Sequence, residues 1–142
     1  MLKEEFGNAT NCSFDIVGFP SNQFGSQEPA DDYKILDCLK YVRPGNEYQP
    51  NFKVFSKIIV NGDDEDPIFT FLKNACPSPN GYIGRQFTYL WEFMRNNDIN
   101  WNFAKFLLDH NGIPYKRYMP IVHPLRIRND IQYLIEKCKS EI

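Results

Sequence analysis

The chain lacks any long apolar run, any surplus of positive charge and any short-spaced cysteine pair, and it holds only 8 glycines in 142 residues. Each shortage removes a class of protein. Its apolar stretches break far short of the roughly 20 residues that a membrane-spanning helix needs. Lys and Arg number 16 against 18 Asp and Glu, for a net charge of −2. Binding to nucleic acid or to an anionic membrane surface needs clustered cations, so neither partner is expected. The four cysteines, Cys12, Cys38, Cys76 and Cys138, form no C-x-x-C. A zinc site or dithiol motif is therefore not expected. Scattered as they are, they read as separate buried thiols rather than disulfides. The opening Met1-Leu2-Lys3-Glu4-Glu5 is not a secretory signal, which needs an apolar core behind a basic start. There is no repeat, low-complexity tract or linker, and the length suits one domain.

What is present is a series of short elements. Residues 14–19 read as a buried strand. A polar loop from Pro20 to Pro29 follows. Asp31 and Asp32 open a helix that runs to about Val42, with Ile35, Leu36, Leu39 and Val42 on one face. Residues 52–60 read as a second strand. The acidic run Asp63 to Asp66 reads as a helix start, not a cation site. Asp66 caps, Pro67 occupies the first turn, and calcium-loop spacing is absent. That helix extends to about Ala75, and a long loop covers Pro77 to Asn100. Phe103 to Asp109 and Ile113 to Tyr118 flank His110-Asn111-Gly112 and read as a β-hairpin, with Asn-Gly supplying positive φ angles. A final helix runs from about Pro124 to Lys137, with Leu125, Ile131, Leu134 and Ile135 as its apolar stripe. The order β-α-β-α-β-β-α reads as an α/β domain. Two glycosylation triplets sit near the start, Asn8-Ala9-Thr10 and Asn11-Cys12-Ser13.

Two longer blocks say more than periodicity does. The run Gly18-Phe19-Pro20-Ser21-Asn22-Gln23-Phe24-Gly25-Ser26-Gln27-Glu28-Pro29 resembles the G-F-P-C-N-Q-F-G-x-Q-E-P signature of the glutathione peroxidase family. Trp101-Asn102-Phe103-x-Lys105-Phe106-Leu107 resembles a second family block. Between them, Leu39 to Gly45, Val60-Asn61-Gly62 and Phe69 to Pro77 also match, in family order and spacing. Ser21 departs from the pattern, since many relatives carry Cys there. Asn22 and Gln23 are expected to serve loop architecture through side-chain-to-backbone bonds.

The resemblance implies a thioredoxin-like α/β fold that is incomplete. Residues 1–142 would be the C-terminal part of a single domain, lacking the first core strand and most of the first helix. The absent strand would lie between residues 14–19 and 103–109, leaving two unpaired edges. The implied activity is reduction of hydrogen peroxide and organic hydroperoxides with glutathione, as in the response to oxidative stress. In this family a selenocysteine or cysteine anion attacks the peroxide. The matching support residues are Gln27, Trp101 and Asn102, all neutral N–H donors able to steady that anion without adding a competing charge.

The peroxidatic residue is expected upstream of Met1, and the parent is expected to be a selenoprotein whose recoded stop codon was read as a stop. The long Tyr41-Val42-Arg43-Pro44-Gly45 stretch stands where thioredoxin-using relatives carry a resolving cysteine, and resembles the glutathione-using, oligomeric branch. Arg43 is the first candidate for a glutathione carboxylate, with Lys116 and Arg117 behind it. No metal or prosthetic group is implied; glutathione is a co-substrate. The loops at residues 44–51 and 77–100 resemble insertions that build homotetramers, through Tyr48, Tyr82, Phe87, Tyr89 and Phe93. The glycosylation triplets and Cys76-Pro77 resemble secreted members, with a cytoplasmic location as the alternative. The functional alternatives are a thioredoxin-dependent thiol peroxidase and a non-catalytic thioredoxin-like binding protein.

Overall fold

A computed structural model describes residues 1–8, 11–81 and 91–142. A short helix, α1 (Leu2–Phe6), opens the chain and is followed by β1 (Val17–Gly18). Next come α2 (Asp32–Asp37), continued as a π-helical turn over Cys38–Val42, then β2 (Lys53–Val54) and α3 (Pro67–Ala75). A hairpin of β3 (Lys105–Leu108) and β4 (Pro114–Tyr118) leads through a 3₁₀ turn, Pro124–Ile127, into α4 (Arg128–Glu141).

β1 and β2 are parallel, with Val17 opposite Lys53 and Gly18 opposite Val54. Parallel neighbours need a crossover, and α2 supplies it. β3 and β4 are antiparallel, with Lys105 opposite Tyr118 and Phe106 opposite Arg117. The two pairs form separate two-stranded sheets among the described residues. Both predicted long strands are thus much shorter than expected. A ladder extends only as far as two strands lie alongside each other, and residues 14–19 and 52–60 pair over two residues each, Val17–Gly18 with Lys53–Val54.

The hairpin forms where Asn-Gly predicted it, but by a different turn. Gly112 takes φ +77°, while Asn111 keeps a negative φ. The Gly112 amide donates to Asp109 O and the Asp109 amide to Ile113 O, so one left-handed residue completes the reversal. The cap of α3 is as expected: Asp66 Oδ1 accepts from the Ile68 amide at 2.9 Å, with Pro67 in the first turn. On α2 the stripe fails in part. Ile35 is buried and Leu39 half-buried, but Leu36 and Val42 are exposed. The Arg43 amide bonds Cys38 O, five residues back. That wider turn rotates Val42 off a 3.6-residue face.

β3 separates two cores, because neighbouring strand residues point to opposite faces. Leu107 joins Leu2, Tyr118, Ile127, Ile131 and Leu134 under α4. Phe106 packs on the other side with Phe24, Val60, Phe69 and Ile99. On α4 the predicted Ile131 and Leu134 are buried, Ile135 is half-buried and Leu125 is exposed in the 3₁₀ turn. Tyr118 Oη donates to Asp130 Oδ2 at 2.6 Å, tying the hairpin to α4. That bond, joined by Lys116, holds the Asp130 carboxyl below its usual range.

The expectation of separate thiols is overturned for one pair. Cys12 and Cys138 form a disulfide with Cα atoms 5.9 Å apart, across 126 residues of sequence. Spacing along the chain does not report proximity, and the folding of α4 back against the N-terminal segment brings the two together. Cys38 and Cys76 are free. Burial pushes the Cys76 thiol up, against the weaker pull of Arg117.

A polar network joins the loops on the α3 side. Lys73 is 1 % exposed and Asp98 0 %. Lys73 Nζ donates to Asp98 Oδ1 at 2.9 Å and Asn61 Oδ1 at 3.2 Å, and also binds Glu65. Asp98 Oδ2 accepts from Trp91 Nε1 and from the Arg95 amide, each at 2.9 Å. From β4, Arg117 donates to the carbonyls of Asn97 and Asp98 at 2.6 and 2.8 Å.

Three outcomes follow for stability. Lys73→Ala strands buried carboxylates and should cost about 3–5 kcal/mol, measured as a fall in the urea midpoint. Closing a loop of this size restrains the unfolded chain by up to about 5 kcal/mol, with about 2–4 kcal/mol more usual. Reducing Cys12–Cys138 should therefore raise hydrogen exchange in α1 and α4 more than in α2. Asp130 has a depressed folded pKa, so its contribution is present above the unfolded value of about 3.9 and is lost as pH falls through the folded one. Tyr118→Phe should flatten that acid dependence in a pH-resolved melt.

Candidate functional site

The first block folds as a loop held by its own amides. Asn22 Oδ1 accepts from the Glu28 amide at 3.0 Å, closing the loop on itself. Gln23 Oε1 accepts from the amides of Val60 and Asn61 at 2.8 and 3.0 Å, and its Nε2 donates to Asn61 O at 2.8 Å. Both residues thus perform the architectural role expected of them. Phe24, 3 % exposed, anchors the middle of the loop beneath Trp101 and Trp91, with ring centroids 6.0 and 5.7 Å away. Gly25 and Ser26 then take left-handed φ angles of +65° and +51°. The first suits glycine, while the second is a strained value for serine. The reversal leaves Gln27 exposed.

The second block reaches the same place from the other end of the chain. Asn61 Nδ2 donates to Ile99 O and its Oδ1 accepts from the Ile99 amide, both at 2.8 Å. This clamp fixes the backbone two residues before Trp101. A Cβ added to Gly25 would stand 3.6 Å from Trp101 Cη2 and 3.7 Å from Gln27 Cγ, so the indole and the amide flank the same glycine. Asn102 Nδ2 donates to Gln27 Oε1 at 2.8 Å, across 75 residues of sequence. Phe103 follows with φ +65° and its ring 82 % exposed.

The geometry has a chemical consequence. Gln27 accepts through Oε1, and its Nε2 has no hydrogen bond among the described residues. Asn102 keeps its second N–H. The trio is uncharged: the two amides are bonded to each other, and the Trp101 ring lies against the same glycine as Gln27. Such a set can stabilise an anion by hydrogen bonding alone.

The cationic candidates lie elsewhere. Arg43 is exposed at the end of the π turn. Lys116 is paired with Asp130 at 2.9 Å. Arg117 is buried, with its guanidinium spent on two backbone carbonyls and 5.3 Å from the Phe106 ring. Burial also lowers its pKa, though Asp98 opposes that shift. It acts as a strut between β4 and the loop before Trp101. No described contact joins Arg43, Lys116 or Arg117 to the trio. Among the described residues no group of His, Cys, Asp or Glu is arranged to hold a metal ion.

Two supporting residues have roles that no motif states. Lys57 Nζ donates to Glu28 O at 3.1 Å and Ala30 O at 2.7 Å, fastening the loop just beyond Gln27. Lys73 lies on the apolar stripe of α3 beside Phe69, Leu72 and Cys76. A lone cation on such a stripe is a signal from which a buried partner could be read. Ser21 Oγ is the buried side-chain polar atom without a hydrogen bond among the described residues. A thiol, the weaker hydrogen-bonding group, would lose less there.

Comparison with known proteins agrees with the geometry. The family model "Glutathione peroxidase" matches residues 2–73. The chain is 45 % identical over 126 residues to the epididymal secretory glutathione peroxidase of Sus scrofa, covering 89 % of this chain and 58 % of that protein. It is 47 % identical over 130 residues to glutathione peroxidase 3 of Mus musculus, covering 92 % of this chain and 56 % of that one. The chain therefore spans little more than half the length of these relatives. The crystal structure of Trgpx in apo form superposes with a TM-score of 0.60 at 27 % identity, over 95 % of this chain and 63 % of that one. T. cruzi GPX1 superposes with the same score at 22 % identity, over 95 % and 69 %, a likeness of fold. Two motif blocks folded against each other, a family model matched over half the sequence and close relatives along most of it lead to one conclusion: the chain belongs to the glutathione peroxidase family.

Proposed function

We propose that the protein to which this chain belongs reduces hydrogen peroxide and organic hydroperoxides at the expense of glutathione. The observation that carries the reading is the Asn102–Gln27 hydrogen bond beside the Trp101 indole. It brings two neutral amides, from segments far apart in sequence, into contact close to the ring of a third donor-bearing residue. In the proposed reaction a thiolate or selenolate attacks one peroxide oxygen and the O–O bond breaks. The leaving oxygen takes a proton. One glutathione then displaces water from the oxidised chalcogen, and a second releases glutathione disulfide and restores the anion. Gln27, Trp101 and Asn102 would hold the anion and lower its pKa.

The nucleophile is proposed to come from sequence N-terminal to Met1, as selenocysteine or cysteine. Three of the chain's four cysteines fit the task poorly. Cys12 and Cys138 are bonded to each other. Cys76 is buried, and its thiol is pushed up rather than down. For glutathione, exposed Arg43 is the better-supplied guanidinium. Lys116 is a weaker candidate because Asp130 holds it, and Arg117 weaker still because it faces inward. No prosthetic group is required.

Homo-oligomerisation is part of the proposal. Tyr48 and Phe93 are 43 % and 69 % exposed in the two loops concerned, while Tyr82, Phe87 and Tyr89 lie outside the described residues. An extracellular location is supported by the disulfide, which persists in oxidising compartments, and by the word "secretory" in the name of one relative. No helix among the described residues is long and apolar enough to cross a membrane.

A coupled NADPH assay on the protein with its upstream sequence restored tests the reading. Turnover with glutathione is expected; turnover with thioredoxin alone would favour the thiol-peroxidase alternative, and none with either donor a binding protein. Removing one pre-aimed donor typically costs about 100-fold or more. Asn102→Ala and Gln27→Ala should each lower kcat/KM on that order and move the pH–rate profile upward, since the nucleophile's pKa rises when it loses a hydrogen bond. Unchanged rates and profile in both variants would sink the assignment.

A further inference from the structure

We infer that Asn11 is an attachment site for an N-linked oligosaccharide, added before the Cys12–Cys138 disulfide closes. The inference rests on the extracellular reading above and extends it to a particular side chain. Asn11-Cys12-Ser13 satisfies the acceptor pattern, in which the third-position hydroxyl is required along with the asparagine. Sequence alone does not tell an acceptor from a chance triplet, but the side-chain directions do. Asn11 and Ser13 are both exposed, and Cys12 between them is 5 % exposed and faces inward. The two groups that the transferring enzyme must recognise therefore point to solvent. A bulky sugar on Asn11 would displace nothing in the core.

The residues on either side of the acceptor are tied down. The Phe14 amide donates to Phe6 O at 3.0 Å, and the disulfide pins Cys12 to α4. Glycans are tolerated on surface loops of secreted proteins. The disulfide is a second observation that points to the same compartment, because lumenal oxidation and oligosaccharide transfer occur together there.

The disulfide raises a question of order, since it fixes the middle residue of the acceptor. Cys138 lies 126 residues after Cys12. At a synthesis rate of about 5–20 residues per second, Cys12 waits roughly 6–25 s for its partner to be made. Asn11 is thus presented on an unconstrained chain well before the bond can form. In the transfer, the Asn11 amide nitrogen bonds to the anomeric carbon of a sugar carried on a lipid pyrophosphate. The sugar–phosphate bond breaks, the lipid pyrophosphate leaves with the electron pair, and the amide gives up one proton.

The test expresses the 142-residue chain behind an appended secretion signal in eukaryotic cells. Peptide mass mapping after peptide-N-glycosidase treatment reads occupancy, because the enzyme leaves aspartate where a glycan was. Modification at position 11 is expected, abolished by Asn11→Gln and by Ser13→Ala, whatever happens at Asn8. Cys138→Ser, which frees Cys12, should leave Asn11 occupancy within about twofold of the parent if transfer precedes closure. An exported chain with an unmodified Asn11 overturns the site, and a several-fold rise in occupancy in Cys138→Ser overturns the order. The appended signal delivers the chain to the lumen regardless of the parent's own destination. Retention of the parent in the cytosol would therefore count against its location and not against the acceptor.

Discussion

Lys73 and Asp98 are two opposite charges taken wholly out of water, and the loops that carry the site are arranged around them. An isolated charge in such a place is prohibitively costly, so each must be met on every side. Lys73 is met by Asp98, Glu65 and Asn61. Asp98 is met by Lys73, Trp91 and the Arg95 amide. Those demands draw four segments to one point: the end of the 52–60 stretch, helix α3, the loop before Trp101 and, through Arg117, strand β4. A buried ion pair of this kind adds little net stability over a well-packed apolar pair. Its effect is to admit one arrangement of the loops and penalise others.

Asn61 passes that arrangement to the site. Its side chain faces Lys73 and clamps Ile99, while its backbone is gripped by Gln23. One residue therefore ties the loop that bears Gln27 to the segment that bears Trp101 and Asn102. Gln27 is exposed and Trp101 and Asn102 are half-buried, while the clamps that fix their segments are made at Asn61, which is buried. The strained φ values of Ser26 and Phe103 fall at the two ends of this assembly. Backbone held in sparsely populated regions persists only where surrounding contacts over-determine it; the Asn22–Glu28 bond brackets Ser26.

The N-terminal segment is fastened by other means. α1 and the loop after it contact α4 through Leu2, Phe6 and Phe14, the Glu5–Arg128 ion pair and the disulfide. The β1–β2 pair is joined to this side by no strand pairing among the described residues. β3 serves both cores, offering Leu107 to one and Phe106 to the other.

Much of the local structure was legible in the sequence, because it depends on neighbours along the chain. The Asp66 cap, the proline in the first turn of α3, the hairpin around Gly112 and the buried face of α4 each follow from residues within one or two turns of each other. The family blocks carried the trio, since a motif preserves which residues meet without stating how. The length of each strand was not legible, because ladder bonds belong to pairs of strands and Phe14 to Phe19 cannot report whether a partner lies alongside. Nor was the widened turn that takes Val42 off the buried stripe. The inward turn of Arg117, beside an exposed Lys116 on the same strand, was decided by which face of β4 met the loop at Asn97 and Asp98. The bond between Cys12 and Cys138 was decided by the same kind of fact: sequence states a separation of 126 residues, and only folding turns it into a contact.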